Sequence, residues 1–265
     1  MYATSYHRAS SVEDAVKLKS ANEEGKYLSG GMTLISTMKQ RLAAPSDLID
    51  LRHIPAIRGI RIEGRKVTIG AATPHADVAA SRELAAICPA ICKLAGHIGD
   101  PHVRHMGTIG GSIANNDPAA DYPAGLLGLG ATIVSDRRSI SADDFFTGLF
   151  ETALEEGEMV TSVTFEAPEK ASYAKFNNPA SRFAMTGVFV ASTAGGVRVA
   201  VTGAGSSGVF RHPGFEQALA SNWSPDALNN VAVDPSNLMS DLHANAEYRA
   251  NLVKVMAKRA VASAG

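Results

Sequence analysis

Two cysteines in 265 residues are too few for this chain to hold an iron–sulfur cluster of its own, which typically takes four thiolates. They stand four positions apart, Cys88 and Cys92 around Pro89. They are expected to be small buried thiols in a reducing cytoplasm. An excess of charge of either sign is also missing. The net charge is −1, so there is no electrostatic case for nucleic acid or an anionic membrane surface as partner. No apolar run is long enough to span a bilayer. The opening Met1-Tyr2-Ala3-Thr4-Ser5-Tyr6-His7-Arg8 has no apolar h-region of a signal peptide. The Walker pattern G-x-x-x-x-G-K-[ST] is absent, which argues against an ordinary P-loop nucleotidase. The glycines after Leu28 do not follow G-x-G-x-x-G, which argues against a Rossmann NAD site. Internal repeats, low-complexity tracts and long linkers are absent as well.

What remains is ordinary in bulk and unusual in two places. At 45% hydrophobic and 19% charged the chain is globular, one large domain or two small ones with a sizeable core. The stretch Ile98–Asp121 carries four glycines, Thr108, Ser112 and the acids Asp117 and Asp121. A second glycine pair lies upstream in Ser29-Gly30-Gly31-Met32-Thr33-Leu34. Glycines let a backbone approach a ligand closely and turn its N–H groups outward. Two N–H-rich turns suggest an anionic, two-ended ligand such as a dinucleotide. The histidines His97, His102 and His105 could form a zinc site with an open position. They lack the i, i+4 spacing and the adjacent Glu of such a motif, so no metal is expected. Arg104 could neutralise phosphate or brace its loop. Gly203-Ala204-Gly205-Ser206-Ser207-Gly208 reads as a flexible structural loop.

The strings Leu28–Ile35, Met38–Ala43 and Leu48–Leu51 resemble the medium, FAD-binding subunit of molybdenum hydroxylases, the carbon monoxide dehydrogenase and xanthine dehydrogenase type. Thr108-Ile109-Gly110-Gly111-Ser112, with Pro118 and Asp121 after it, is similar to that family's second flavin motif. Tyr173-Ala174-Lys175-Phe176 is a third match. The resemblance implies an α+β fold: a two-lobed FAD domain of the vanillyl-alcohol-oxidase type over 1–167, with lobes of about 1–55 and 56–167. A small antiparallel sheet with helices then covers 168–265. It implies FAD lying extended between the lobes without a covalent bond. Ser29, Gly30, Gly31, Met32, Thr33 and Leu34 would cradle the pyrophosphate, with Met32 standing where the family commonly has His. Thr108, Ile109, Gly110, Gly111 and Ser112 would contact phosphates and ribityl chain, and Asp121 would accept from ligand hydroxyls. Ile98 and Val160 would pack on the ring. Lys175 would lie near it and stabilise a reduced, anionic flavin. No catalytic side chain is implied.

The same resemblance implies partners: a small subunit with two [2Fe–2S] clusters and a large molybdopterin subunit, as a dimer of heterotrimers in the cytoplasm. Electrons would leave this chain for a quinone, NAD or oxygen. The alternatives are a stand-alone flavin reductase of related fold, or an FAD-free structural or assembly subunit.

Local patterns place the elements. Ser10-Ser11-Val12-Glu13 reads as a capping box, with Gly25 just past the helix end. Lys26–Leu28 and Leu48–Leu51 read as strands and 33–42 as a helix. A hairpin turns at Glu63-Gly64-Arg65. Residues 76–97 are helical with a break at Pro89. Leu126–Val134, Val160–Phe165, Tyr173–Phe176, Met185–Ser192 and Val197–Thr202 read as strands. Phe215–Ala220, Pro225–Val231 and Ala244–Ala262 read as helices.

Overall fold

A computed structural model describes residues 1–264. The first part of the chain forms a three-stranded parallel sheet from β1 (Ser5–Arg8), β2 (Lys26–Leu28) and β3 (Asp47–Asp50), in the order β1-β3-β2. Two helices connect its strands, α1 (Val12–Ala21) and α2 (Leu34–Lys39). The cap of α1 sits one residue later than the sequence pattern places it. Ser11 Oγ accepts from Asp14 N at 3.1 Å, and Asp14 in return accepts from Ser10 N at 2.8 Å. The helix ends at Asn22, whose amide donates to Leu18 O, before Gly25 is reached. The strand β1 has no expected counterpart, because its residues are mostly exposed and show no alternation.

A five-stranded antiparallel sheet follows, in the order β4 (Ile60–Glu63), β5 (Lys66–Gly70), β10 (Val160–Glu166), β6 (Thr132–Ser135) and β7 (Ser139–Ser141). The expected hairpin is β4 (Ile60–Glu63) and β5 (Lys66–Gly70), turning at Gly64 with φ +63°. The helical stretch after it divides into α3 (His75–Ala80), α4 (Arg82–Ile87) and α5 (Pro89–Gly96). Pro89 makes one break, and Ser81 makes the other by capping α4. Next come α6 (Pro101–Met106), α7 (Ile109–Asn115) and α8 (Tyr122–Leu129). The sheet is completed by β6 (Thr132–Ser135), β7 (Ser139–Ser141) and, after α9 (Ala142–Phe145) and a ribbon of β8 (Phe146–Gly148) with β9 (Glu151–Thr152), by β10 (Val160–Glu166). The strand expected over Leu126–Val134 is thus corrected: its first half is α8. Every residue of α8 is buried, so it has no polar face and shows no helical period. Gly130, at φ +61°, ends it in the left-handed region.

The remaining chain makes an antiparallel sheet of β11 (Lys170–Asn177), β12 (Ala184–Thr193), β13 (Gly196–Thr202) and β14 (Phe210–Arg211). Two helices cover one face, α10 (Pro213–Ser221) and α11 (Ala246–Ser263). The helix expected over Pro225–Val231 is only a 3-10 turn, Pro225–Leu228. The strand β12 is buried on both faces. Phe189 and Ala191 join the core around α8, while Val188 and Val190 join the core under α11. Arg249 on α11 is itself buried and donates to the carbonyls of Met185 (2.6 Å) and Gly203 (2.7 Å) and to Asp241. Gly203, the first residue of the glycine-rich 203–208 loop, is thereby tied to α11.

Candidate functional site

A cleft of about 1030 Å³ is lined by β2 and the turn after it, by the Gly107–Ser112 segment, and by Val160 and Phe183. That size lies at the top of the range of about 300–1,000 Å³ usual for ligand pockets. The first glycine turn leaves β2 and enters α2. Gly31 sits at φ +70°, a conformation that only glycine adopts without strain. Among the described residues, the N–H groups of Gly30, Gly31, Met32, Thr33 and Leu34 have no acceptor. Five consecutive unpaired donors on the cleft wall are groups that can receive an anion.

The second glycine segment is built differently. Its N–H groups are already taken: Ile109 donates to Thr73 O, Gly110 to Ala71 O, and Gly111 to Thr108 Oγ1. Its glycines serve close packing instead. A Cβ on Gly110 would fall 2.8 Å from Ala71 O, and one on Gly107 2.7 Å from His75 Nε2. The two turns also touch each other. Ser29 Oγ and Thr108 Oγ1 share a hydrogen bond of 2.7 Å, and a Cβ on Gly30 would lie 2.6 Å from Gly107 Cα.

Of the residues singled out in the sequence, Ser29 through Leu34, Ile98, Thr108, Gly110, Gly111, Ser112, Asp121 and Val160 line this one cleft. Ile109 and Lys175 do not. Ile109 lies in the core. The Lys175 ammonium, 1% exposed, is held 3.0 Å from Asp121 and donates to His97 O at 3.1 Å. Asp121 also accepts from Tyr173 OH at 2.6 Å. Burial pushes the Asp121 carboxyl up, against the pull of Lys175 and Tyr173. His97 is pushed down by burial and then by Lys175. Arg104 donates to Ile98 O at 2.5 Å, which makes it a brace of its loop. The histidines His102 and His105 stand exposed on α6, and no group of metal-ligating side chains forms among the described residues. Cys88 and Cys92 are free and buried, and burial pushes their thiols up to about 12 and about 11.

Three lining residues carry no sequence signal strong enough to single them out. Lys26, two residues before Leu28, is the one Lys or Arg among the described residues on the cleft wall. His75 is 4% exposed; burial pushes its imidazole down to about 4, so it is neutral near pH 7. Phe183, half exposed, comes to the cleft from the turn before β12. Glu158 also reaches the wall, with its carboxylate fixed by Arg138 at 3.0 Å and Ser135 at 2.6 Å. The Arg138 hydrogen bond holds it down at about 2.

Residues 2–168 match the family described as the FAD binding domain in molybdopterin dehydrogenase. The chain is 36% identical to the carbon monoxide dehydrogenase medium chain of Afipia carboxidovorans, over 97% of this chain and 94% of that one. It is 34% identical to the nicotine 6-hydroxylase medium subunit of Paenarthrobacter nicotinovorans, over 99% of this chain and 98% of that one. Among solved structures, reconstituted CO dehydrogenase from Oligotropha carboxidovorans superposes with a TM-score of 0.90 at 34% identity, covering 98% of this chain and 97% of that one. The chain therefore belongs to the family of FAD-binding medium subunits of molybdopterin-dependent dehydrogenases.

Proposed function

We propose that this chain is the FAD-carrying electron-transfer subunit of a molybdenum hydroxylase, taking electrons from [2Fe–2S] clusters on a small partner subunit and passing them to an external acceptor. Substrate oxidation belongs to a large molybdopterin subunit, and the complex is a dimer of heterotrimers in the cytoplasm. The observation that carries the reading is the run of five unpaired N–H groups at Gly30–Leu34, set in a cleft of dinucleotide size. Two buried cysteines leave no cluster for this chain itself. No described helix is long and apolar enough to cross a membrane.

FAD, when bound, supplies the redox chemistry, and the protein supplies position and electrostatics. Residues 1–167 form the FAD-binding part and 168–265 the part that braces it. The N–H groups of Gly30–Leu34 hold the diphosphate. Gly111 and Ser112 give close approach and a hydroxyl. Ile98 and Val160 offer apolar walls for the ring. Asp121 presents its carboxylate to the cleft, and Lys175 acts through it from behind. Lys26 is the cation available to the remaining ligand charge. No side chain here needs to act as acid or base.

Co-expression with its genomic neighbours, followed by size-exclusion chromatography, tests the assembly. The expected result is co-elution with an iron–sulfur chain and a molybdenum chain. Acid precipitation should release the flavin, and phosphodiesterase should convert it to FMN. A lone monomer that oxidises substrate at full rate would make the chain a stand-alone reductase instead.

A further inference from the structure

His75 is the first residue of α3, and Pro74 ahead of it pairs with Thr108 across an isolated bridge. Its backbone N–H donates to Gly107 O at 3.0 Å. Its ring lies under Gly107, with Nε2 at the position where a Cβ on that residue would strike it, 2.7 Å away. Gly107 in turn lies against Gly30. The imidazole, Gly107 and Gly30 form one stack that runs from the core to the first glycine turn. On its other side the ring meets Tyr122, with centroids 5.3 Å apart. Neither His75 Nδ1 nor the Tyr122 hydroxyl has a hydrogen-bond partner, and both are sealed from solvent. With Nδ1 sealed, Nε2 is the ring's polar atom on the side of the glycine turns.

We propose that His75 is a positioning residue for the cofactor: its ring props Gly107 against Gly30 and so holds the two glycine turns at the spacing an extended dinucleotide needs, with Nε2 as the polar atom set against the turn. The proposal rests on the reading of the cleft as an FAD site. An apolar side chain of similar size would fill the space and lose the polar atom. Glutamine carries a nitrogen or oxygen at about the reach of Nε2. A purely space-filling role would treat these two replacements alike, and a polar role separates them.

The test uses the full chain stripped of flavin, with FAD titrated in and followed by the quenching of flavin fluorescence. Thermal melting of the flavin-free chains runs in parallel. His75→Leu should weaken FAD binding by about tenfold or more, while its flavin-free form melts like the wild type. His75→Gln should bind within about threefold of wild type. FAD affinity unchanged in His75→Leu overturns the proposal, and so does equal weakening in both variants. Should His75→Leu fail to fold, His75→Asn takes its place, since its amide is too short to reach the position of Nε2: FAD binding about tenfold weaker than in His75→Gln supports the role, and equal affinity in the two overturns it. A wild-type chain that takes up no FAD brings down the FAD reading itself, and this proposal with it, before any variant is compared.

Discussion

Gly110 and Gly111 are neighbours in one motif, yet a side chain on each would strike different things. At Gly110 a Cβ runs into Ala71, on both its Cβ and its carbonyl. At Gly111 it points toward Thr108 Oγ1 at 3.1 Å and Ser29 Cβ at 3.7 Å, on the cleft wall. Gly110→Ala is therefore expected to cost stability, about 1–3 kcal/mol of overpacking, seen as an earlier midpoint in urea. Gly111→Val is expected to keep the fold and lose the flavin, because its methyls enter the space between the two turns. Absorbance at the flavin bands, normalised to protein, checks this; wild-type occupancy in Gly111→Val would make the position structural. Glu158 gives a pH-dependent case. Its folded value of about 2 lies below that of an exposed glutamate, so its stabilisation is full above about pH 4.3 and is lost as pH falls toward 2. Arg138 is partly exposed and screened, so the expected gain is about 1–2 kcal/mol. Glu158→Gln should be less stable by that amount at pH 7 and equal to wild type near pH 2, measured by urea unfolding at both. The glycine motifs and Asp121 were legible because their residue types are unusual in a run. His75 and Phe183 were not, because a lone histidine and a lone aromatic carry no pattern until the fold brings them to the wall.

Among the elements, periodicity helps only where one face is exposed. The hairpin β4–β5 stands where its alternation and turn glycine place it, and β11, β12 and β13 fall on the stretches read as strands. The helix α8 has all eight residues buried, and a wholly apolar run looks the same in either state. The long helix α11 was legible from its two-sided composition, but the role of Arg249 on it was hidden. A charged residue inside a buried stripe shows its purpose only when Met185 O and Gly203 O appear opposite it. Arg249→Met should therefore destabilise the chain by about 2–4 kcal/mol, since two carbonyls lose their donor and Asp241 its partner. Equal urea midpoints for the variant and the wild type would show that α11 is held by its apolar face alone.

At the scale of the whole molecule, the packing of β12 decides how the chain unfolds. Its inward side chains Phe189 and Ala191 complete the core that holds α8, and its outward ones complete the core under α11. Arg198 on β13 adds a hydrogen bond to Leu127 O of α8 at 2.8 Å. Calorimetry of the flavin-free chain should accordingly show one unfolding transition for both parts. Two well-separated transitions would mean that the C-terminal sheet folds independently.

The same strand bears on modularity. The family match ends at residue 168, which invites treating 1–168 as a transferable cassette. Cut there, the cassette would carry α8 with one flank stripped to water, a continuous apolar scar of the kind that drives self-association. A graft between relatives must therefore move Phe189 and its strand along with the glycine turns. The natural unit of exchange, in a gene fusion or in a designed flavoprotein, is the cofactor cleft together with the sheet that backs it.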